Sequence, residues 1–472
     1  MLTSRLPLLP LLLIFCSITV AGQSGSAQYT VTELGDFEPR ALNNSGTVVG
    51  SRTNGDVRAV LFRNGQLTDI TPPGGVLAAA NGINDLDQVV GRVFFCDIVN
   101  GNCVNGRTRA FVLNGSTATV LGTLGGRDSE AFGINNAGQV AGWSDTAGLP
   151  PGNVGDEHAF IFQNGVFEDL GAKTTARGSI ASSINATGQV SGWASSNSLI
   201  DSGPFLYSSG VFQFFGAAGF AWDINNAGQI VGGLSGNDDG TGRAFLVSGG
   251  VMQDLGKPSS EYKYAVANAI NNAGHIVGLA RLHFLSSEGE RAWVFSGGIM
   301  QDLNNLIPAN SGWVLSRAVD INDAGQIVGN GLKNGQPKAF LLTPTQPLLI
   351  TEPNSTKALV VETIWYLRDP FGLQTPVAFG SDRRTRLTIV ARNIEVVEGE
   401  NISPPTVQAE NAQHQLVDLP VEFTGKITGA PWLTQITVRL PDQLNGAGEI
   451  QIRISYRGQT SNPGSILIAP SP

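Results

Sequence analysis

Ile134-Asn135-Asn136-Ala137-Gly138-Gln139-Val140-Ala141-Gly142 decides the fold, because the phrase recurs seven times along the chain. The copies begin at Leu42, Ile83, Ile134, Ile184, Ile224, Ile270 and Ile321, at spacings of 41, 51, 50, 40, 46 and 51 residues. A period of about 40–50 residues in a strand-rich chain is the length of a four-stranded propeller blade. Asn-Ala-Gly reads as a tight turn, since Asn and Gly tolerate positive φ. The residues through Ile-Asn then form a first strand, and Gln-Val-Ala-Gly a second.

A second phrase follows each anchor: Arg58-Ala-Val, Arg109-Ala-Phe, His158-Ala-Phe, Gly203-Pro-Phe, Arg243-Ala-Phe, Arg291-Ala-Trp and Lys338-Ala-Phe. It reads as a third strand, closed by a two-residue turn such as Asn164-Gly165 and followed by a fourth, VFEDLG. The last repeat ends at KAFLLTP without a fourth strand, while QYTVTELG at Gln28 to Gly35 matches that strand and has no third strand before it. Pairing the two closes the ring and removes an open edge. The expected fold is all-β: a seven-bladed β-propeller over residues 28–345, closed by its N-terminal strand, then a C-terminal β-sandwich of Ig-like architecture over 346–472.

In this register the residue that opens the third strand lies diagonal to an acid on the fourth, within reach of a long side chain. The pairs are Arg58 with Asp69, His158 with Asp169, Arg243 with Asp254 and Arg291 with Asp302. The displaced N-terminal strand gives Lys338 the partner Glu33. Arg109 breaks the rule, because Val120 stands where the acid would be. A recurring acid favours structural cross-strand pairs over a cationic binding ring.

The His158-Ala159-Phe160 triplet and its Arg-Ala-Phe variants resemble the HAF-repeat family of extracellular bacterial proteins, over residues 28–345. The resemblance implies export and a repeat fold, and it implies no reaction. The Asn-x-x-Gly-Gln phrase is also similar to a turn in propellers of the regulator-of-chromosome-condensation type, which lack the paired third and fourth strands. The run QITVRLPDQLNGAGEIQIRISYRG near the C-terminus resembles a β domain on exported proteins of acidobacterial type.

Export is also written at the N-terminus. Arg5 precedes an apolar run from Leu6 to Val20, and small residues follow, up to Ala27. Residues 1–27 read as a signal peptide, the run being too short and too broken by Pro7 and Pro10 to span a bilayer. No membrane span is expected in the mature chain. In an oxidising compartment Cys96 and Cys103 read as one disulfide. Charged residues are 14 % of the chain and the net charge is −9, with no basic run, which argues against a nucleic-acid partner.

In such a ring the short first-to-second and third-to-fourth turns share one face, and the variable connections share the other, where binding usually sits. The candidate ligand-binding face is Asp128, Glu130, Trp143, Asp156, Trp193, Asp223, Asp238, Asp239, His283, Trp313 and Asp320, with Arg127, Asp145, Tyr262, Tyr264 and Glu290 around it. Asp223 and Asp320, each one residue before an anchor, would suit paired-carboxylate glycoside chemistry. Trp143 and Trp193 suit sugar stacking or packing between blades. Asn237-Asp238-Asp239 offers oxygen ligands for calcium but lacks the full loop pattern, so no metal is expected. The chain has no Gly-x-Ser-x-Gly, His-Glu-x-x-His or phosphate loop, and no cofactor is expected. The expectation is an exported, non-catalytic binding or scaffolding protein whose partner is a polysaccharide or an extracellular protein. The alternative is a secreted carbohydrate-active enzyme.

Overall fold

The computed structural model describes residues 28–469, except 54, 148–156, 196–201, 217, 236–241, 283–288, 297, 346–347, 350–356, 359, 363–373, 380–381, 393, 395–403, 412, 428–429 and 457–458. The signal-peptide assignment to residues 1–27 lies outside them. The described residues are all-β, with short 3-10 turns and no α-helix. None of them forms a helix long and apolar enough to cross a membrane. The chain divides into two compact units, one spanning Tyr29–Pro344 and the other beginning at Thr345.

In the first unit the strands form seven antiparallel four-stranded sheets, the fifth and sixth also joined by one parallel bridge, Gly242 to Tyr264. The first strands are Glu38–Leu42, Leu77–Ile83, Gly125–Ile134, Gly178–Ile184, Gly219–Ile224, Tyr264–Ile270 and Trp313–Ile321. Six sheets use four successive strands. The seventh takes its fourth from Tyr29–Gly35, which pairs with Gln336–Pro344, Tyr29 opposite Pro344 and Thr32 opposite Leu341. Each first strand touches that of the next sheet, and the seventh touches the first.

Three sequence features build this frame. Positive φ at Asn64, Asn164, Ser209 and Asn334, each followed by Gly, gives the two-residue hairpins whose twist matches the strands. The aromatic residue of the second phrase is the core: Phe111, Phe160, Phe205, Phe245, Phe340 and Trp293 are fully buried. Each such burial contributes about 2–3 kcal/mol. Cores form between neighbouring sheets, as where Val90 and Ala110 meet Ala131, Ile134 and Phe160. The same packing joins Leu34, Phe37, Leu42 and Val60 to Val328 and Ala339 at the two ends of the unit.

The third feature is the Gly that ends each anchor phrase. In every first strand one residue is bulged out of register opposite it: Arg40, Asn81, Phe132, Ser182, Trp222, Asn268 and Val319. The bulge presses the carbonyl oxygen of the residue two before it against that glycine. A Cβ at Gly50, Gly91, Gly142, Gly192, Gly232, Gly278 or Gly329 would overlap that oxygen. The repeated Gly is therefore a requirement of the bulge.

In the second sheet the middle strands run on as a long hairpin, Val89–Val99 and Asn102–Asn114. Cys96 and Cys103 are joined by a disulfide across it, with Cα atoms 5.5 Å apart.

The described residues of the second unit form two antiparallel five-stranded sheets and one two-stranded sheet. Leu387, Ile389, Ile436 and Val438 of one five-stranded sheet share a core with Val407, Ile450, Ile452, Ile454 and Ile466 of the other. Strict alternation along Gly448–Tyr456 puts Ile450, Ile452, Ile454 and Tyr456 on its buried face.

Candidate ligand-binding site

The turn asparagines link the seven sheets. Asn43 Nδ2 donates to the carbonyl of Asn84 at 3.1 Å, Asn84 to Asn135 at 3.0 Å, Asn135 to Asn185 at 2.9 Å, and Asn185 to Asn225 at 3.0 Å. Asn225 donates to Asn271 at 3.1 Å, Asn271 to Asn322 at 3.0 Å, and Asn322 back to Asn43 at 3.0 Å. All seven are buried. Asn135 shows why only Asn serves. Its Oδ1 accepts from the amides of Ala137 and Gln139 and its Nδ2 gives its second hydrogen to Gln139 Oε1, so the whole carboxamide is satisfied.

An exposed layer repeats the pattern. The amide of Asn44 donates to Asp85, Asp85 to Asn136, Ala186 to Asn226, Asn226 to Asn272, Asn272 to Asp323 and Asp323 to Asn44. A cavity of about 220 Å3 lies inside, lined by the anchor Leu and Ile side chains, the asparagines, Ser183 and Asp223. This face carries the uniform turns, not the variable loops.

Asp223 and Asp320 are held in the frame. Asp223 Oδ1 accepts from Ser183 Oγ and the Ile224 amide, and Oδ2 from the Ile270 amide of the next sheet. Asp320 does the same with the amides of Ile321 and, across to the first sheet, Leu42. Burial raises the pKa of both. Asp320 is pushed up to about 7, by burial first and by the charge of Asp223 second. Every oxygen of the pair already accepts a hydrogen bond, so these carboxylates act as staples between sheets.

The seven bulged residues differ chemically on an otherwise repeated frame. Six of the seven residues before them are Ala, at 80, 131, 181, 221, 267 and 318, and the first is Pro39. A bulge re-aims one side chain without breaking the sheet. Here it places Arg, Asn, Phe, Ser, Trp, Asn and Val at one level of adjoining first strands. Arg40 Nη1 donates to Asn81 Oδ1 at 3.3 Å, and Asn81 Nδ2 to Glu130 Oε1 at 2.9 Å. Asn268 Nδ2 reaches the carbonyl of Ala318 at 2.7 Å. Arg40 is exposed in its strand, and its pKa is lowered by partial desolvation, with Arg92 adding to the shift. In the fifth sheet Trp222 and Phe220 are 43 % and 37 % exposed.

The sequence-derived face is more divided. Asp128 is tied to the Thr108 amide and to Arg127. Glu130 is buried against Asn81 and Arg92. Trp143 lies opposite Glu130 and Ala159 in its sheet. Trp193 meets Phe220 edge to face, with ring centroids 5.0 Å apart. Trp313 is a correction: it is buried against Phe340, with Lys333 over its ring, and belongs to a core. Asp156, Asp238, Asp239 and His283 lie outside the described residues.

Among the ion pairs, His158 Nδ1 is 2.9 Å from Asp169, Arg243 is 2.9 Å from Asp254 and Arg291 is 4.0 Å from Asp302. Lys338 is 3.6 Å from Glu33 but nearer Asp36, at 2.6 Å. The Arg58–Asp69 pairing is corrected: Arg58 pairs with Asp56 at 3.2 Å, and Asp69 Oδ1 accepts from the Thr71 amide. A near acid two residues away needs less side-chain ordering than a diagonal one. Arg109 donates instead to the carbonyls of Thr108 and Arg127.

Sequence reasoning missed the bulged position. Its signal was present: the residue two before each anchor varies most where its neighbours are small. Strand alternation hides it, because a bulge changes which face the residue meets. No family model matches the chain, and the search of curated proteins finds no similar one.

Proposed function

We propose that the seven sheets are the blades of a closed seven-bladed β-propeller of HAF-repeat type, and that the chain is an exported, non-catalytic binding protein. The cyclic contacts of the first strands and the asparagine ring that returns from Asn322 to Asn43 support closure. The signal-peptide pattern of residues 1–27 supports export. The C-terminal unit, read as a β-sandwich, serves as spacer or attachment module.

One observation carries the binding reading. Seven structurally equivalent bulges present seven side chains of mixed chemistry around one axis, while Ala, Gly and Asn repeat beside them. A purely structural ring would gain nothing from that variety, whereas a recognition surface needs it. The ligand seats on the bulged residues, approached from the variable-loop side. The non-catalytic part rests on Asp223 and Asp320, whose oxygens all accept hydrogen bonds.

The test is binding of the mature chain, residues 28–472, to arrays of polysaccharides and extracellular proteins, with reducing-sugar release assayed on every hit. Saturable binding without release is expected. Sugar release would overturn the non-catalytic reading, and no binding on either array would overturn the binding reading.

A further inference from the structure

Most large aromatics of the first unit are packed in cores, Trp293 and Trp313 among them. The fifth sheet is different. Phe220 and Trp222 lie two residues apart on the same strand and stack, with centroids 5.7 Å apart and planes at 19°. Trp193 of the fourth sheet holds Phe220 from its edge. Opposite Phe220 in the register stands Gly233, where five other sheets carry Arg92, Trp143, Trp193, Leu279 or Asn330 and the first carries Ser51. Gly233 therefore adds no side chain over Phe220, and both rings of the stack stay exposed. Trp222 is braced from behind and open in front, so a ligand need not order it.

The neighbours at the same level are Ser182 of the fourth sheet and Asn268 of the sixth. Asn268 has its Nδ2 fixed on the Ala318 carbonyl, which orients its Oδ1 as an acceptor. Ser182 Oγ makes no hydrogen bond among the described residues and is half-buried. The charges bordering this sector are already paired, Arg281 and Arg317 with Glu290.

We propose that Trp222 is the stacking platform for one ring of a neutral oligosaccharide, with Ser182 and Asn268 hydrogen-bonding its hydroxyls. A pyranose presents an apolar C–H face and a polar rim, which suits an open indole flanked by a hydroxyl and a carboxamide. Among the described residues the cations bordering this sector, Arg281 and Arg317, are already engaged by Glu290, so neither is free to take the carboxylate of an acidic sugar. This inference rests on the binding reading above and gives it a ligand class.

The experiment titrates neutral gluco-, manno-, xylo-, galacto- and chito-oligosaccharides into the full mature chain, read by tryptophan emission and on an array beside acidic oligosaccharides and proteins. At least one neutral series is expected to bind. Trp222→Ala should weaken that binding by about tenfold or more, and Trp222→Phe by less, as a platform requires. Ser182→Ala and Asn268→Ala should each weaken it by a few-fold, while Val251→Ser on an outer hairpin leaves it unchanged. Thermal melts confirm that the variants are folded, and Trp222→Phe keeps the test open if Trp222→Ala is not. Failure of every neutral series, or binding that survives loss of Trp222, overturns the proposal. Protein or acidic-sugar binding alone would overturn it and leave the binding module standing. Sugar release lost with Trp222 would keep the platform and overturn only the non-catalytic reading.

Discussion

Asn322 Nδ2 donates to the backbone carbonyl of Asn43 at 3.0 Å, although 279 residues separate them. The same bond joins every other neighbouring pair of sheets, so the first and last repeats meet as any two repeats do. In a closed ring no link is terminal. Asn322→Ala and Asn185→Ala should therefore destabilise alike, by about 2–3 kcal/mol, since each leaves buried amides and a carbonyl without partners. Chemical denaturation measures both. A much smaller loss for Asn322→Ala would mean that the ends of the array are not joined.

Gly142→Ala should be among the most damaging single-methyl changes in the chain. Its Cβ would overlap the carbonyl of Glu130, and relief requires undoing the bulge that aims Phe132. A loss of about 3 kcal/mol or more is expected by urea denaturation.

Asp320 gives a pH signature. Its folded-state pKa is about 7, above that of an exposed aspartate, so the folded chain holds a proton that the unfolded chain releases. That contribution is complete below about pH 4 and is lost as pH rises through about 7. Against the background of other groups, wild type should lose stability between about pH 4 and about 7, and Asp320→Asn should flatten that slope. Asp320→Asn also gives up one acceptor for the Leu42 or Ile321 amide, so it should be less stable than wild type at low pH. Thermal melts across that range test both statements.

The Cys96–Cys103 disulfide closes only the tip of a hairpin, between Ile98, Val99 and Val104, which are exposed. Its removal in a Cys96→Ser, Cys103→Ser double variant should loosen the tip and leave the sheet cores intact. Trypsin should then cut at Arg107 while the global melting temperature moves by only a few degrees.

Much of this architecture was legible because the repeats are physical requirements. The Asn of each anchor is fixed by a carboxamide that makes at least three hydrogen bonds, the terminal Gly by a bulge and the aromatic of the second phrase by a core. The displaced fourth strand followed from counting, and His158–Asp169 and Arg243–Asp254 from hairpin register. The bulges themselves were not legible. A period of two assumes regular pleating, and one extra residue shifts every side chain beyond it. Trp222, Arg40 and Asn81 were overlooked for that reason, while Trp313 was assigned to a binding face although Phe340 and Lys333 cover it. Arg58 went to Asp56 because a nearer acid wins where both are exposed.

Closure is the claim on which the binding reading depends, and Asn44 and Asp323 test it. Asn44 Nδ2 lies 3.3 Å from Asp323 Oδ2, both side chains are exposed and the residues are 279 apart. In an Asn44→Cys, Asp323→Cys double variant mild oxidation should form an intramolecular disulfide, seen as a linked peptide by mass spectrometry. Absence of that link in folded monomer, or links formed only between molecules, would contradict a closed ring.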